Sequence, residues 1–179
     1  MAKKIEEKME GLLVGGQVIV ASSDESRDFW EKNRFGEPSG KDKFIYSLVE
    51  ALYLMEKEKL IVKKIRTELD MDKFVKLAQK AEPTFWVRFC VYADLRKRGY
   101  VVKTALKFGA DFRVYARGIK PGEDHAKWTV LAVDESSQIS WYGYAAQNRV
   151  AHSTRKKLLI GIVDAERSVT YYENKWVRP

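Results

Sequence analysis

Apolar positions along this chain change period several times, and the changes predict its elements. Over residues 12–20 they fall in two short runs about Gly15-Gly16, which predicts two short strands joined by a turn. Residues 24–34 predict a short polar helix with Phe29 and Trp30 on its buried side, and a Gly/Pro/Ser loop follows over 36–43. Ser47 and Glu50 have capping-box spacing, and Ala51, Leu52, Leu54 and Met55 follow at helical spacing. A charged stretch, Glu56-Lys57-Glu58-Lys59, leads into a strand over 60–62. A third helix is capped by Asp70 and carries Phe74, Leu77 and Ala78 on one face.

Pro83 ends that helix, and composition then shifts toward aromatic residues. A helix over 85–97 closes at Gly99. Three strands rich in β-branched and aromatic residues are predicted at 100–105, 111–116 and 128–133. Helical character returns at 140–152. The chain ends in a predicted hairpin, 158–163 and 169–177. The fold class is therefore α+β, with a small N-terminal α/β domain over 1–83 and a C-terminal domain over 84–179. The second domain is a mixed sheet flanked by helices.

Composition narrows the chemistry. The 179 residues are 45% hydrophobic and 12% aromatic, which describes a globular protein. The net charge of +8 favours a polyanionic partner, nucleic acid before an anionic membrane surface. The one cysteine, Cys90, lies in the apolar run Phe89-Cys90-Val91-Tyr92 and reads as a buried core thiol. The Lys/Glu-rich N-terminus does not read as a signal peptide, and no apolar run approaches a membrane span. The expectation is a soluble cytoplasmic protein with no membrane association.

No CxxC pair, HExxH or Walker motif is present, so neither a metal nor a cofactor is expected. Asp111 could begin a metal-dependent nuclease site, but no Glu-x-Lys follows on the next strand. What remains is metal-free. Tyr115 closes a strand, His125 follows the loop Pro121-Gly122-Glu123-Asp124, and Arg155-Lys156-Lys157 lies between a helix and a strand. Such a trio suits phosphodiester transfer onto an adjacent hydroxyl. A histidine, which ordinarily titrates near neutrality, can protonate the leaving oxygen. A lysine opposes the negative charge of the phosphorane, and a tyrosine can orient or deprotonate a 2′-hydroxyl. Each residue also has a plainer reading: Tyr115 as a strand aromatic, His125 as a solvated loop residue, Lys156 as surface charge.

Taken together, Asp111-Phe112-Arg113-Val114-Tyr115, Pro121-Gly122-Glu123-Asp124-His125-Ala126 and the segment from Arg149 to Leu158 resemble the tRNA-splicing endonuclease family. The likeness is to the archaeal single-subunit type, and Ser47 to Leu54 resembles that family's N-terminal domain. The resemblance implies excision of introns from precursor tRNA by cutting both splice sites of a bulge-helix-bulge RNA. It implies no metal requirement and products with 2′,3′-cyclic phosphate and 5′-hydroxyl ends. On the matching positions Tyr115 would be the general base, His125 the general acid and Lys156 the stabiliser of the transition state. The preference for Lys156 over Lys157 rests on the family register, and His152 is the spectator histidine.

The resemblance also makes Arg149 a flat plate for a bulged base, with a second plate near Trp176. Trp176 reads equally as a strand aromatic at an interface. A homotetramer built as a pair of dimers is implied as well. Two features fit it: the long aromatic terminal strand, which needs pairing, and the acidic loop Asp134-Glu135-Ser136-Ser137, which suits a basic pocket on a neighbour. Two other readings stay open: a non-catalytic RNA-binding subunit and a metal-dependent DNA nuclease.

Overall fold

A computed structural model describes residues 8–105, 109–177 and 179. The chain divides into two compact units, Met1–Phe85 and Trp86–Pro179. Both combine helices with a mixed sheet, so the fold class is α+β.

In the first unit β1 (Met9–Val14) and β2 (Gln17–Ala21) form the expected hairpin, with Gly15 and Gly16 both at positive φ in its turn. Helix α1 (Asp24–Asn33) follows. Its buried residue is Ser26, whose hydroxyl bonds back to Ser23 and Ala21; Phe29 and Trp30 are only half-buried, against expectation. A strand, β3 (Glu37–Ser39), lies within the loop expected over 36–43, and β4 (Lys43–Ser47) begins at its last residue. Helix α2 (Leu48–Glu56) then begins at the cap Ser47, which is also the last residue of β4.

The capping box is present in full. The Ser47 hydroxyl accepts from the Glu50 amide at 3.4 Å, and Glu50 Oε2 accepts from the Ser47 amide at 3.1 Å. Glu50 is buried, and its Oε1 accepts from the Gly36 amide at 3.2 Å, so one carboxylate joins the helix start to the loop before β3. Next come β5 (Leu60–Lys64), β6 (Thr67–Glu68) and α3 (Met71–Ala81), capped by Asp70. The strand order is β3-β4-β2-β1-β5-β6, with β1 and β5 parallel.

The second unit starts with α4 (Phe85–Lys97). It ends as predicted at Gly99: φ is +86°, the Gly99 amide bonds to Arg96 and the Tyr100 amide to Leu95. Cys90 on α4 is half-buried and not a core thiol. The sheet has the order β11-β10-β9-β8-β7. Its strands are β7 (Val102–Thr104), β8 (Phe112–Val114), β9 (Trp128–Asp134), β10 (Lys157–Val163) and β11 (Val169–Asn174). The terminal strand stops at Asn174, whose partner on β10 is Leu158; Trp176 lies beyond it.

β9 and β10 are parallel neighbours, and α5 (Trp141–Ser153) is the connection that makes this possible. The register pairs Trp128, the first residue of β9, with Lys157, the first of β10. Both strands therefore start at the same end of the sheet. The core holds Val102, Phe112, Val114 and Val130 with Val91, Tyr92 and Leu95 of α4. Gly161 permits close packing on α4, since a Cβ there would lie 3.0 Å from Val91 Cγ2.

Candidate active site

The shared starting end of β9 and β10 carries a cluster of polar side chains. Tyr115 follows β8 directly, is buried, and its amide donates to the Val101 carbonyl at 3.0 Å. The loop from Ala116 to Lys127 is a chain of turns with its own hydrogen bonds. The Ile119 amide bonds to Ala116, the Glu123 amide to Lys120, and Glu123 Oε2 accepts from the Lys120 amide at 2.9 Å. Gly122 has φ +96°, a value that a side chain would strain. The loop then presents His125 to solvent, with its amide donating to Asp124 Oδ1 at 2.6 Å. Next to it Ala126 is buried, and the Lys127 amide returns to the Val114 carbonyl.

Lys156 arrives from the other side. Helix α5 ends in a Schellman motif: the Lys156 amide bonds to the Ala151 carbonyl at 2.8 Å and the Arg155 amide to the His152 carbonyl at 3.0 Å. Arg155 occupies the left-handed position, φ +56°, where glycine is usual. That closure fixes the backbone of Lys156 one residue before β10. Its Nζ donates to the Thr154 carbonyl at 2.9 Å. Partial burial, and then the nearby Arg113 guanidinium, hold its ammonium below the ordinary lysine pKa.

Tyr115, His125 and Lys156 line one cavity of about 480 Å³, together with Arg113 and Glu123. A larger cavity of about 690 Å³ shares His125 and Lys156 with it and extends to His152, Asn148 and Trp176. Arg149 is exposed on α5 and lines neither. So four of the five residues singled out in the sequence meet at these two cavities, and Arg149 stands apart.

Two residues at the site were not singled out. Alternation along β8 sets Arg113 on the opposite face from Phe112 and Val114, and so on the side of Tyr115; that was the available signal. His152, read as a spectator, has its ring centroid 4.5 Å from that of Trp176, at 56°. Nothing in its local sequence marks it.

Beneath the site Glu173 of β11 ties the two strand starts together. Its Oε2 accepts from Trp128 Nε1 at 2.7 Å and its Oε1 pairs with the Lys157 ammonium. These two donors hold its carboxyl below the usual glutamate pKa. Lys157 is thus paired with β11 and borders only the larger cavity, whereas Lys156 lines both. Asp111, considered for a metal site, is instead bound to Arg88 Nε at 2.9 Å and to the Ala132 amide at 2.8 Å. Among the described residues no group of three His, Cys, Asp or Glu could hold a metal ion, and no helix is long and apolar enough to cross a membrane.

Charge follows the division into units. Residues Trp86–Pro179 hold seventeen Lys and Arg against nine Asp and Glu; Met1–Phe85 hold sixteen of each. The whole net charge of +8 thus belongs to the unit that carries the cavities.

Comparisons with known proteins agree with one another. The family model described as tRNA intron endonuclease, catalytic C-terminal domain, matches residues 85–171, and that for the N-terminal domain matches 9–75. A protein of Methanothermobacter thermautotrophicus named tRNA-splicing endonuclease is 37% identical over 172 residues, covering 96% of this chain and 99% of the relative. One of the same name from Thermococcus kodakarensis is 38% identical, covering 93% and 96%. Another, from Pyrococcus furiosus, is 42% identical, covering 80% and 82%.

Proposed function

This chain belongs to the tRNA intron endonuclease family, and from that premise we propose that it excises introns from precursor tRNA with the site at the head of β9 and β10. The substrate in this reading is a bulge-helix-bulge RNA cut at both splice sites. The C-terminal unit is the catalytic half. The observation that carries the reading is that Tyr115, His125 and Lys156 line one cavity.

The reaction is an internal transesterification. Tyr115, acting as the phenolate, takes the proton of the 2′-hydroxyl next to the scissile phosphate and becomes the phenol, and the 2′-oxygen forms a bond to phosphorus. The bond from phosphorus to the 5′-oxygen breaks. His125 gives that oxygen its proton, so the products carry a 2′,3′-cyclic phosphate and a 5′-hydroxyl. Lys156, with the Arg113 guanidinium nearby, supplies positive charge where the phosphorane becomes negative. The exposure of His125 on its loop suits a proton donor that must reach a leaving group on a bulky RNA. No step uses a metal ion.

Arg149 and Trp176 are the plates for bulged bases. Trp176 lines the larger cavity, which supports its role; Arg149, exposed on α5, would meet a base farther out. The assembly is a homotetramer acting in the cytoplasm, with the Asp134–Ser137 loop docked on a neighbouring copy.

The test is direct. The purified protein is incubated with an end-labelled bulge-helix-bulge RNA in excess EDTA, and the product ends are identified. Two cuts with cyclic phosphate and 5′-hydroxyl ends are expected. Binding without cutting would favour a non-catalytic RNA-binding subunit, and cutting only with magnesium would point to a metal-dependent nuclease.

A further inference from the structure

We infer that His152 is a positioning residue for the RNA-binding reaction: its imidazole braces the Trp176 indole at the larger cavity and so sets the plate on which a base stacks. The inference rests on the proposed role of Trp176 and adds a residue to it.

The geometry has three parts. First, the two rings are 4.5 Å apart at 56°, within the range of favourable aromatic pairs, and both line the cavity that His125 and Lys156 also border. Second, His152 has a fixed mount. Its carbonyl accepts from the Arg155 amide within the Schellman closure of α5, so its backbone is held while its side chain is exposed. Third, α5 grips the C-terminal segment twice along one face. The Tyr144 hydroxyl donates to Asn174 Oδ1 at 2.7 Å, and eight residues on, two turns further along the helix, His152 meets Trp176. Asn148, midway between them, lines the cavity and donates to the Tyr144 carbonyl.

Trp176 lies beyond the last hydrogen-bonded residue of β11 and is 44% exposed. A side chain that must be ordered on binding weakens the complex, and one already braced costs less. A flat ring serves this purpose because, tilted against the indole at 56°, it restrains it with little freedom of its own. On this reading His152 touches Trp176 and does not transfer a proton, so it acts on affinity and not on the cutting step.

The experiment compares wild type, His152→Ala, His152→Phe, Trp176→Ala and the double variant His152→Ala/Trp176→Ala. Affinity is measured with a bulge-helix-bulge RNA bearing 2′-deoxy nucleotides at both scissile positions, and the cutting rate with the ribose form at saturating protein. His152→Ala is expected to weaken binding about 2–10-fold. His152→Phe is expected to restore it, the saturated cutting rate to stay at the wild-type value, and the double variant to bind no worse than Trp176→Ala. Additive losses in the double variant, a slowed saturated rate in His152→Ala, or unchanged binding in His152→Ala while Trp176→Ala binds poorly would each overturn the inference. Wild-type binding left intact by Trp176→Ala would remove the plate itself and the brace with it. A wild-type protein that neither binds nor cuts this RNA would refute the functional reading, and that is seen before any variant is compared.

Discussion

Lys157 gives its ammonium to the Glu173 carboxylate across the β10–β11 pair, while Lys156, one residue earlier, borders the cavity lined by Tyr115 and His125. Adjacent residues of like charge thus face different partners, because β10 starts between them and successive side chains then alternate. Lys156→Ala should lower the saturated cutting rate by about 10²–10³-fold while leaving the melting temperature near wild type. Lys157→Ala should do the reverse, with a lower melting temperature and little loss of rate. Single-turnover cleavage and thermal unfolding of both variants decide it.

Arg113 should set the alkaline limit of activity. Burial and the Arg113 guanidinium both disfavour the charged form of Lys156, so its ammonium loses its proton at lower pH than an ordinary lysine. Cutting that depends on that charge therefore falls early as pH rises. Arg113→Met removes the repulsion and leaves the burial. The alkaline limb of the rate profile should move to higher pH without reaching the value of a free lysine. A limb that stays put would exclude Lys156 as the group responsible.

Arg155 trades stability for charge. It holds a left-handed conformation at the end of α5, which costs a residue with a Cβ about 1 kcal/mol relative to glycine. Its side chain borders the larger cavity. Arg155→Gly should raise stability by up to about 1 kcal/mol and weaken RNA binding, with the slope of log affinity against log salt reduced by about one. Chemical denaturation and a salt titration of binding measure the two effects separately.

Glu173 should make the C-terminal unit sensitive to acid. Its folded pKa is held below the unfolded one by Lys157 and Trp128, so the stabilisation is complete above the ordinary glutamate value, about 4.3. It is lost as pH falls from there through the folded pKa. Glu173→Gln should start less stable at neutral pH and lose less stability between neutral and acid conditions than wild type. Melting curves across that range would show two parallel profiles if the carboxylate has no such role.

The acidic turn after β9 is pre-formed. Asp134 Oδ1 accepts from the Ser136 amide and hydroxyl, and Glu135 Oε1 accepts from the Ala165 amide. A shape already fixed suits docking at low ordering cost. Reversal of both charges, Asp134→Lys with Glu135→Lys, should split the proposed tetramer into smaller species by light scattering. An unchanged mass would assign that contact elsewhere.

Much of the fold was legible where the signals are local. Helix α2 could be read from Ser47 and Glu50, α3 from Asp70 and the end of α4 from Gly99, because caps are decided within one turn of chain. β4 was missed because its final residue, Ser47, also caps α2, so the strand and the helix signal overlap. The sequence predicts the last strand to 177, three residues beyond its end, since Trp176 and Val177 favour extended structure; where pairing with β10 stops is a matter of register, which local sequence does not reveal. The same limit applies to the site. Tyr115, His125 and Lys156 could be picked out by residue type and resemblance, but the ring of His152 against Trp176 exists only through the packing of α5 on the chain end.

Parallel pairing gives the sheet two ends with separate fates. The His125 loop and Lys156 enter at one end, and the turns at 134–137 and 164–168 leave at the other, seven-residue strands and roughly 20 Å away. Lengthening or shortening those far turns moves no residue at the head of β9 or β10. Changes in the far turns can therefore alter the proposed docking of copies while Tyr115, His125 and Lys156 keep their shared cavity.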